Sequence, residues 1–368
     1  MHILFDPGIF LAQSSGGISR AFAELIAALD ALDLAVTVDG RGSINHHLAA
    51  LRRRRPNLAV LSRPHKPGGQ APLRLGPAAR LAADLRFAAL CRKAPPASVV
   101  HQSYYPVLNR TAGLPRVTTV HDMESERGAS SSGRRLRSAL KRRAVARADA
   151  IVAVSHATKA DLMETWAIPE ARIQVIGHGA PRLPPPSKTE PRLPPDYCLF
   201  VGRRAGYKNF ATLVRALADL PSPSRPALVA VGGGAFTAEE QALIAQLGLT
   251  GQVHQISGGD AFLATAYAQA RCLVYPSRFE GFGLPLLEAM TLGTPVLCSD
   301  IPVFREVAGE AALFCDTREP EALAAALSAL LDDEIEQDRL RAAGTRRAAA
   351  FTWQACAEAH RALYARLA

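Results

Sequence analysis

Two glutamates, Glu280 and Glu288, stand eight positions apart in Tyr275-Pro276-Ser277-Arg278-Phe279-Glu280-Gly281-Phe282-Gly283-Leu284-Pro285-Leu286-Leu287-Glu288. A continuous helix would hold them about 12 Å apart along its axis, beyond the roughly 5 Å of a retaining hydrolase pair. The stretch is not one helix: Gly281 and Gly283 predict a loop, Pro285 suits a helix start, and Gly293 suits its stop after Leu292. Glu280 then lies on a glycine loop and Glu288 in the first helical turns, so that both can face one ligand. The alternative makes Glu288 a charge complementing the helix dipole and Glu280 a surface charge; the spacing leaves both readings open.

A second cluster is cationic. Arg203, Arg204 and Lys208 follow Gly202 within a few residues, and Asn209 suits the cap of the next helix. Cations on a strand-to-helix loop beside free backbone N–H groups make a place for a diphosphate, or else a solvated basic loop. Gly16 and Gly17, between Ser15 and Ile18, let the backbone approach a phosphate or sugar, or simply turn the chain. Gly232, Gly233 and Gly234 resemble the start of a dinucleotide fingerprint, but Thr237 stands at the third glycine position and no acid follows at ribose distance. His121 and Asp122 end an apolar run, where a histidine is either structural or a ligand contact. Ser155 reads as a helix cap, without nucleophile-elbow glycines.

The elements that must position these residues alternate. In the second half, short apolar runs at 198–201, 228–231, 252–256, 272–275, 295–298 and 311–315 are separated by segments of helical period, which predicts a parallel, doubly wound α/β sheet. The first half repeats the theme with strands expected at 2–5, 35–38, 98–101, 116–121, 151–154 and 172–176. Between the halves, the proline-rich run 181–195 excludes helix and central strand and marks the domain boundary. Ligands in such sheets bind at the carboxyl ends of strands, so a cleft between the two domains is the expected site.

Length and composition bound the function. At 368 residues, 48% apolar and 21% charged, the chain suits about two globular domains and excludes wholesale disorder. No apolar run is long enough to span a bilayer, and the start lacks a signal core, so a cytoplasmic location is expected. The six cysteines are dispersed without zinc-ligand spacing and read mostly as buried strand residues. A formal charge of +10 favours an anionic partner: nucleic acid, a phosphorylated substrate or an anionic membrane.

Taken together, Gly16-Gly17-Ile18, Thr119-Val120-His121-Asp122, the run 148–155, Val201-Gly202-Arg203, Lys208-Asn209 and the two-glutamate stretch 277–290 resemble the retaining glycosyltransferases of the family 4 group. The resemblance covers nearly the whole chain. It implies the GT-B architecture of two Rossmann-like domains, expected at 1–185 (acceptor side) and 196–350 (nucleotide-sugar side), with a C-terminal helix in 351–368 packing back towards the first. It implies that Glu288 holds the donor ribose, and that Glu280 with the amides of Gly281, Phe282, Gly283 and Leu284 meets the donor sugar. Lys208 and either Arg203 or Arg204 would neutralise the diphosphate. His121 would touch the donor sugar, and Gly16 and Gly17 would bring backbone to the phosphate side. No metal or other cofactor is implied, and the leaving phosphate would help deprotonate the acceptor. Where many relatives read Pro-Asn-Gly-Val, this chain has Gly177-His178-Gly179-Ala180, which touches acceptor-side detail.

The expected function is therefore transfer of a hexose from a nucleotide sugar to a glycan or lipid-linked acceptor in surface polysaccharide or glycolipid synthesis. GDP-mannose is the favoured donor and a UDP-hexose the alternative. A phosphorylase would need a longer chain and a pyridoxal lysine. Nucleic-acid binding through Arg52–Arg55 and the basic helix 134–147 lacks any recognisable signature. That same helix, with Leu136, Leu140, Ala144 and Val145 among its cations, offers either a core-packing strip or a peripheral contact with an anionic inner leaflet.

Overall fold

The computed structural model describes residues 1–61, 76–108, 110–127, 132–185, 193–204, 206–222 and 225–368. The chain divides into two compact units, Met1–Gly179 together with Thr352–Ala368, and Ala180–Phe351. Residues 186–192 of the proline-rich run, and Ala205 of the basic loop, lie outside the described residues.

In the first unit, seven strands form one sheet: β1 (His2–Phe5), β2 (Ala35–Asp39), β3 (Ala59–Leu61), β4 (Ser98–Gln102), β5 (Arg116–Val120), β6 (Ala150–Ala153) and β7 (Ile173–Val175). Their order is β3-β2-β1-β4-β5-β6-β7, with every pair parallel. Ile3, Leu4, Val99, Val100, Val117 and Ile151 are wholly buried, as continuous apolar strands covered on both faces must be. The helix Gly17–Asp30 buries Phe22, Leu25, Ile26 and Leu29, and the final helix Trp353–Ala365 packs against it.

The second unit has six parallel strands: β8 (Tyr197–Val201), β9 (Ala227–Val231), β10 (Val253–Ile256), β11 (Leu273–Tyr275), β12 (Val296–Ser299) and β13 (Leu313–Cys315). Their order is β10-β9-β8-β11-β12-β13. After β10 the chain crosses to the other side of β8, so the topological switch falls between β8 and β11, where open α/β sheets bind ligands. The corresponding switch in the first unit falls between β1 and β4. The strands expected from the sequence form within a residue or two of their places. The short edge strand β3 and the helix His46–Arg54 were not expected: three residues after a run of arginines carry too little periodicity.

Candidate active site

The loops that leave β8 and β11 bring the basic cluster and the first glutamate together. Lys208 Nζ donates to Tyr275 Oη at 2.7 Å and to Glu280 Oε1, while Tyr275 Oη donates to the same Glu280 oxygen at 2.8 Å. The lysine and glutamate side chains are each only 13% exposed, so this is a desolvated ion pair. Burial first, and then Glu280, push the Tyr275 phenol well above its usual pKa, keeping it a donor. Lys208 Nζ also lies 5.0 Å and 5.3 Å from the ring centroids of Tyr275 and Tyr207.

The basic loop is fastened to the glutamate loop. Arg278 N–H donates to the Tyr207 carbonyl at 2.8 Å, and Arg278 Nη2 donates to Asn209 Oδ1 at 2.8 Å. Asn209 stands at the helix N-cap but does not cap with its side chain, contrary to expectation. Its backbone is left-handed (φ 59°), its Nδ2 donates to the Thr317 carbonyl at 2.6 Å, and its Oδ1 accepts from Thr212 and Arg278. The amide thus cross-links the loops after β8, β11 and β13 rather than closing its own helix.

Glu288 lies in the helix Leu284–Thr291 and is 6% exposed; its Oε2 accepts from Tyr267 Oη at 2.8 Å. Gly283, the N-cap, has φ 104°, and a Cβ there would meet Phe304 Cε1 at 3.1 Å, so both conformation and space require glycine. Phe282 is nearly buried and meets Phe351 edge-on at 6.0 Å. These contacts fix the 281–284 backbone between Glu280 and Glu288.

The two arginines part company. Arg203 is exposed. Arg204 is buried: its guanidinium bonds Glu240 at 3.0 Å, the Gly232 carbonyl at 2.7 Å, and the Gly234 and Ala235 carbonyls at 2.8 Å each. The three left-handed glycines 232–234 wrap this guanidinium, and a Cβ at Gly233 would lie 2.7 Å from Arg204 Nη1. The triple glycine therefore serves an internal cation.

In the first unit, His121 follows β5 and is buried, with Nε2 lacking a hydrogen-bond partner among the described residues. Burial lowers its pKa to about 4 against the opposing pull of Asp122, so the ring is neutral near pH 7. It stacks on His178 at 5.9 Å and meets Phe22 edge-on at 5.5 Å. Gly16 carries the cap of the helix Gly17–Asp30, whose Ser19 N–H is held by Gln13 Oε1 at 3.2 Å. At the β1/β4 switch, Asp6 Oδ1 accepts from the Ser103 backbone at 2.7 Å and its hydroxyl at 2.5 Å, and burial raises that carboxyl to about 7.

Against known proteins, the sequence model "Glycosyltransferase Family 4" matches residues 15–181 and "Glycosyl transferases group 1" matches 186–347. The chain belongs to the family 4 glycosyltransferase group. It is similar to O-antigen chain mannosyltransferase B of Escherichia coli, with 34% identity over 164 residues, covering 44% of this chain and 43% of that protein. The chain spans about half or less of the length of the O-antigen and MMP mannosyltransferases it matches. Among solved structures it resembles sucrose-phosphate synthase from Thermosynechococcus elongatus, with TM-score 0.75 and 22% identity over 100% of this chain and 98% of that one. It also resembles Anabaena Alr3699/HepE solved with UDP and glucose, with TM-score 0.73, 18% identity and full coverage of both chains. The shared fold is GT-B.

In this family member, the sequence reading missed Tyr275 and Tyr267, which seat Glu280 and Glu288. Tyr275 is the last residue of β11, directly before the glutamate loop, and that position was its only signal. Tyr267 is a long-range partner on another helix and had none. The basic helix forms part of its core-packing strip, at Ala144 and Val145, and departs from the expected pattern at Lys141 and Leu136. Lys141 is inside, donating to Glu126 at 2.8 Å and the Asp122 carbonyl at 2.9 Å, and Ala144 and Val145 join the core. Leu136, 62% exposed, remains outside with Arg135, Arg137 and Arg142.

Proposed function

We propose that this protein is a retaining hexosyltransferase that moves a sugar, mannose from GDP-mannose in the favoured reading, to a glycan or lipid-linked acceptor. The observation that carries it is the Lys208–Glu280–Tyr275 cluster at the β8/β11 switch, with Glu288 on the helix that follows. A diphosphate arriving there competes with Glu280 for the Lys208 ammonium. Lys208 and Arg203 then stabilise charge as the sugar–phosphate bond breaks, which is why no divalent metal is required in this reading. Arg204 is already spent on three carbonyls and Glu240, which favours Arg203 as the partner of Lys208.

Glu288, held by Tyr267, suits a ribose hydroxyl pair. Glu280, released from Lys208, and the backbone of 281–284 suit the hydroxyls of the donor sugar. His121, neutral and with a free acceptor or donor nitrogen, suits a sugar hydroxyl. In the retaining route the leaving phosphate oxygen accepts the acceptor proton on the face from which it departs, so no side-chain nucleophile is needed. Mannose is favoured because the O-antigen relative is a mannosyltransferase. A UDP-hexose is the second reading, favoured by the fold likeness to a structure holding UDP and glucose.

Thermal-shift titration with GDP-, UDP-, ADP- and dTDP-sugars tests the donor, since a ligand that binds only the folded state raises Tm. GDP-mannose should give the largest shift, unaltered by EDTA; a shift that appears only with magnesium would overturn the metal-free reading. The exposed Arg135, Leu136, Arg137 and Arg142 suit peripheral contact with an anionic leaflet. Co-sedimentation with anionic vesicles should fall when these arginines become glutamate, and equal recovery in the supernatant would count against it.

A further inference from the structure

At the amino end of β5, in the first unit, lies an open hollow of about 350 Å³ lined by Arg92, Arg110, Thr111, Ala112 and Arg116 among others, with no carboxylate in its lining. The three arginines come from three segments: the C-cap of the helix Pro77–Cys91, the loop before β5, and the first residue of β5. A tight turn sets them. Leu114 N–H donates to the Thr111 carbonyl at 3.1 Å, the Thr111 hydroxyl donates to the Leu114 carbonyl at 2.9 Å, and Ala112 and Gly113 are left-handed (φ 57° and 85°). A non-glycine residue held in that conformation marks a turn fixed by its surroundings.

Arg116 is the informative side chain. Its Nε is buried with no hydrogen-bond partner among the described residues, and the nearest carboxylate oxygen, Asp149 Oδ2, is 3.9 Å away and already accepts from the Arg116 backbone N–H at 2.8 Å. A buried donor without a partner calls for an explanation, and three guanidinium groups around one hollow repel unless an anion joins them. Planar N–H forks match phosphoryl oxygens, and the volume exceeds that of a single inorganic phosphate.

We propose that this hollow binds a phosphoryl-bearing anion of diphosphate size. It is separated from His121 by the length of β5, about 17 Å for five residues, and it stands on the other unit from Lys208. The ligand is a soluble phosphoryl compound or the headgroup of a phospholipid; the chemistry is the same.

The test is calorimetric titration of inorganic pyrophosphate into the full chain carrying Lys208→Ala and Arg203→Ala, which removes both cations of the proposed donor site. Saturable binding is expected, weakened at least tenfold by Arg116→Gln and by the pair Arg92→Gln and Arg110→Gln, whose parent side chains are exposed and can be replaced without disturbing the fold. A parallel arm uses vesicles containing phosphatidylglycerol. Arginine-dependent binding to the vesicles but not to pyrophosphate identifies a lipid headgroup as the source. Absence of both, or binding indifferent to the arginine changes, overturns the proposal. Because Lys208 and Arg203 are absent throughout, failure here leaves the donor reading standing, and failure of the donor reading leaves this hollow to be judged by its own arginines.

Discussion

Arg203 and Arg204 are neighbours in sequence with opposite fates, and that contrast gives the sharpest residue-level expectation. Arg204→Ala removes a buried guanidinium that holds three carbonyls and Glu240. It should lower stability by about 3 kcal/mol, as breaking a buried charged pair does, seen as a fall in the denaturant midpoint. Arg203→Ala, at an exposed position, should leave stability unchanged and lower kcat/KM for donor turnover by about 2–3 kcal/mol, the scale of losing a charge-stabilising donor. The reverse pattern would exchange their roles. Nothing in the sequence separates the two, because what distinguishes them is the triple glycine thirty positions on. At the glutamates, Glu288→Ala should raise the donor KM with kcat less affected, and Glu280→Ala should chiefly lower kcat. Steady-state kinetics with saturating acceptor checks both, and an unchanged kcat in Glu280→Ala would remove that residue from the reacting sugar.

At the scale of elements, periodicity and punctuation made the two sheets legible, and cross-chain contacts were what stayed hidden. Gly281, Gly283 and Pro285 announced the loop-to-helix change, and the helix does begin at Leu284. Asn209 was readable as a cap by type, yet its amide is drawn to Thr317 more than a hundred residues away. Lys141 belonged to a run of cations but is taken inside by Glu126, a partner that helical spacing does not reveal. Gly179 is a further case: a Cβ there would sit 2.5 Å from the Trp353 backbone nitrogen and 2.7 Å from its ring. Gly179→Ala should push the start of the final helix off its seat and cost about 1–3 kcal/mol. Gly133→Ala, in a helix and with nothing within 4 Å, should be neutral or slightly stabilising. Thermal denaturation of the two variants compares a close approach with open space, and equal Tm values would contradict the packing described.

Across the whole molecule, the first unit concentrates histidines, His101, His121 and His360 buried and His178 half-buried, in a way that ties its stability to pH. His101 bonds Tyr364 at 2.5 Å and Thr119 at 2.7 Å, stacks on His360 at 5.5 Å, and lies near Phe22, while His121 stacks on His178. Burial depresses all four, His121 and His360 to about 4. The unfolded chain therefore binds protons on these rings below about pH 6.5 that the folded chain refuses, and stability falls as pH drops from 6.5 towards 4. Asp6, raised to about 7, and Asp84, raised by burial, act in the opposite sense over part of the same window. Four histidines outweigh two carboxyls, so the net effect is loss of stability in mild acid, at up to about 1.4 kcal/mol per pH unit for each uncompensated proton. Denaturant midpoints at pH 7.5, 6 and 5 measure this, and a midpoint that rises on acidification would contradict the buried, neutral cluster.

The most direct test of the central claim is release of nucleoside diphosphate from each sugar nucleotide, followed chromatographically for the wild-type protein and for Lys208→Ala. In the proposed function, breaking the sugar–phosphate bond is the step that the Lys208–Glu280–Tyr275 cluster assists. GDP should appear from GDP-mannose, in the presence of EDTA, with Lys208→Ala slower by about 30- to 1,000-fold. If no sugar nucleotide is turned over even with extracts supplying acceptors, or if Lys208→Ala matches the wild type, the account of this site is wrong.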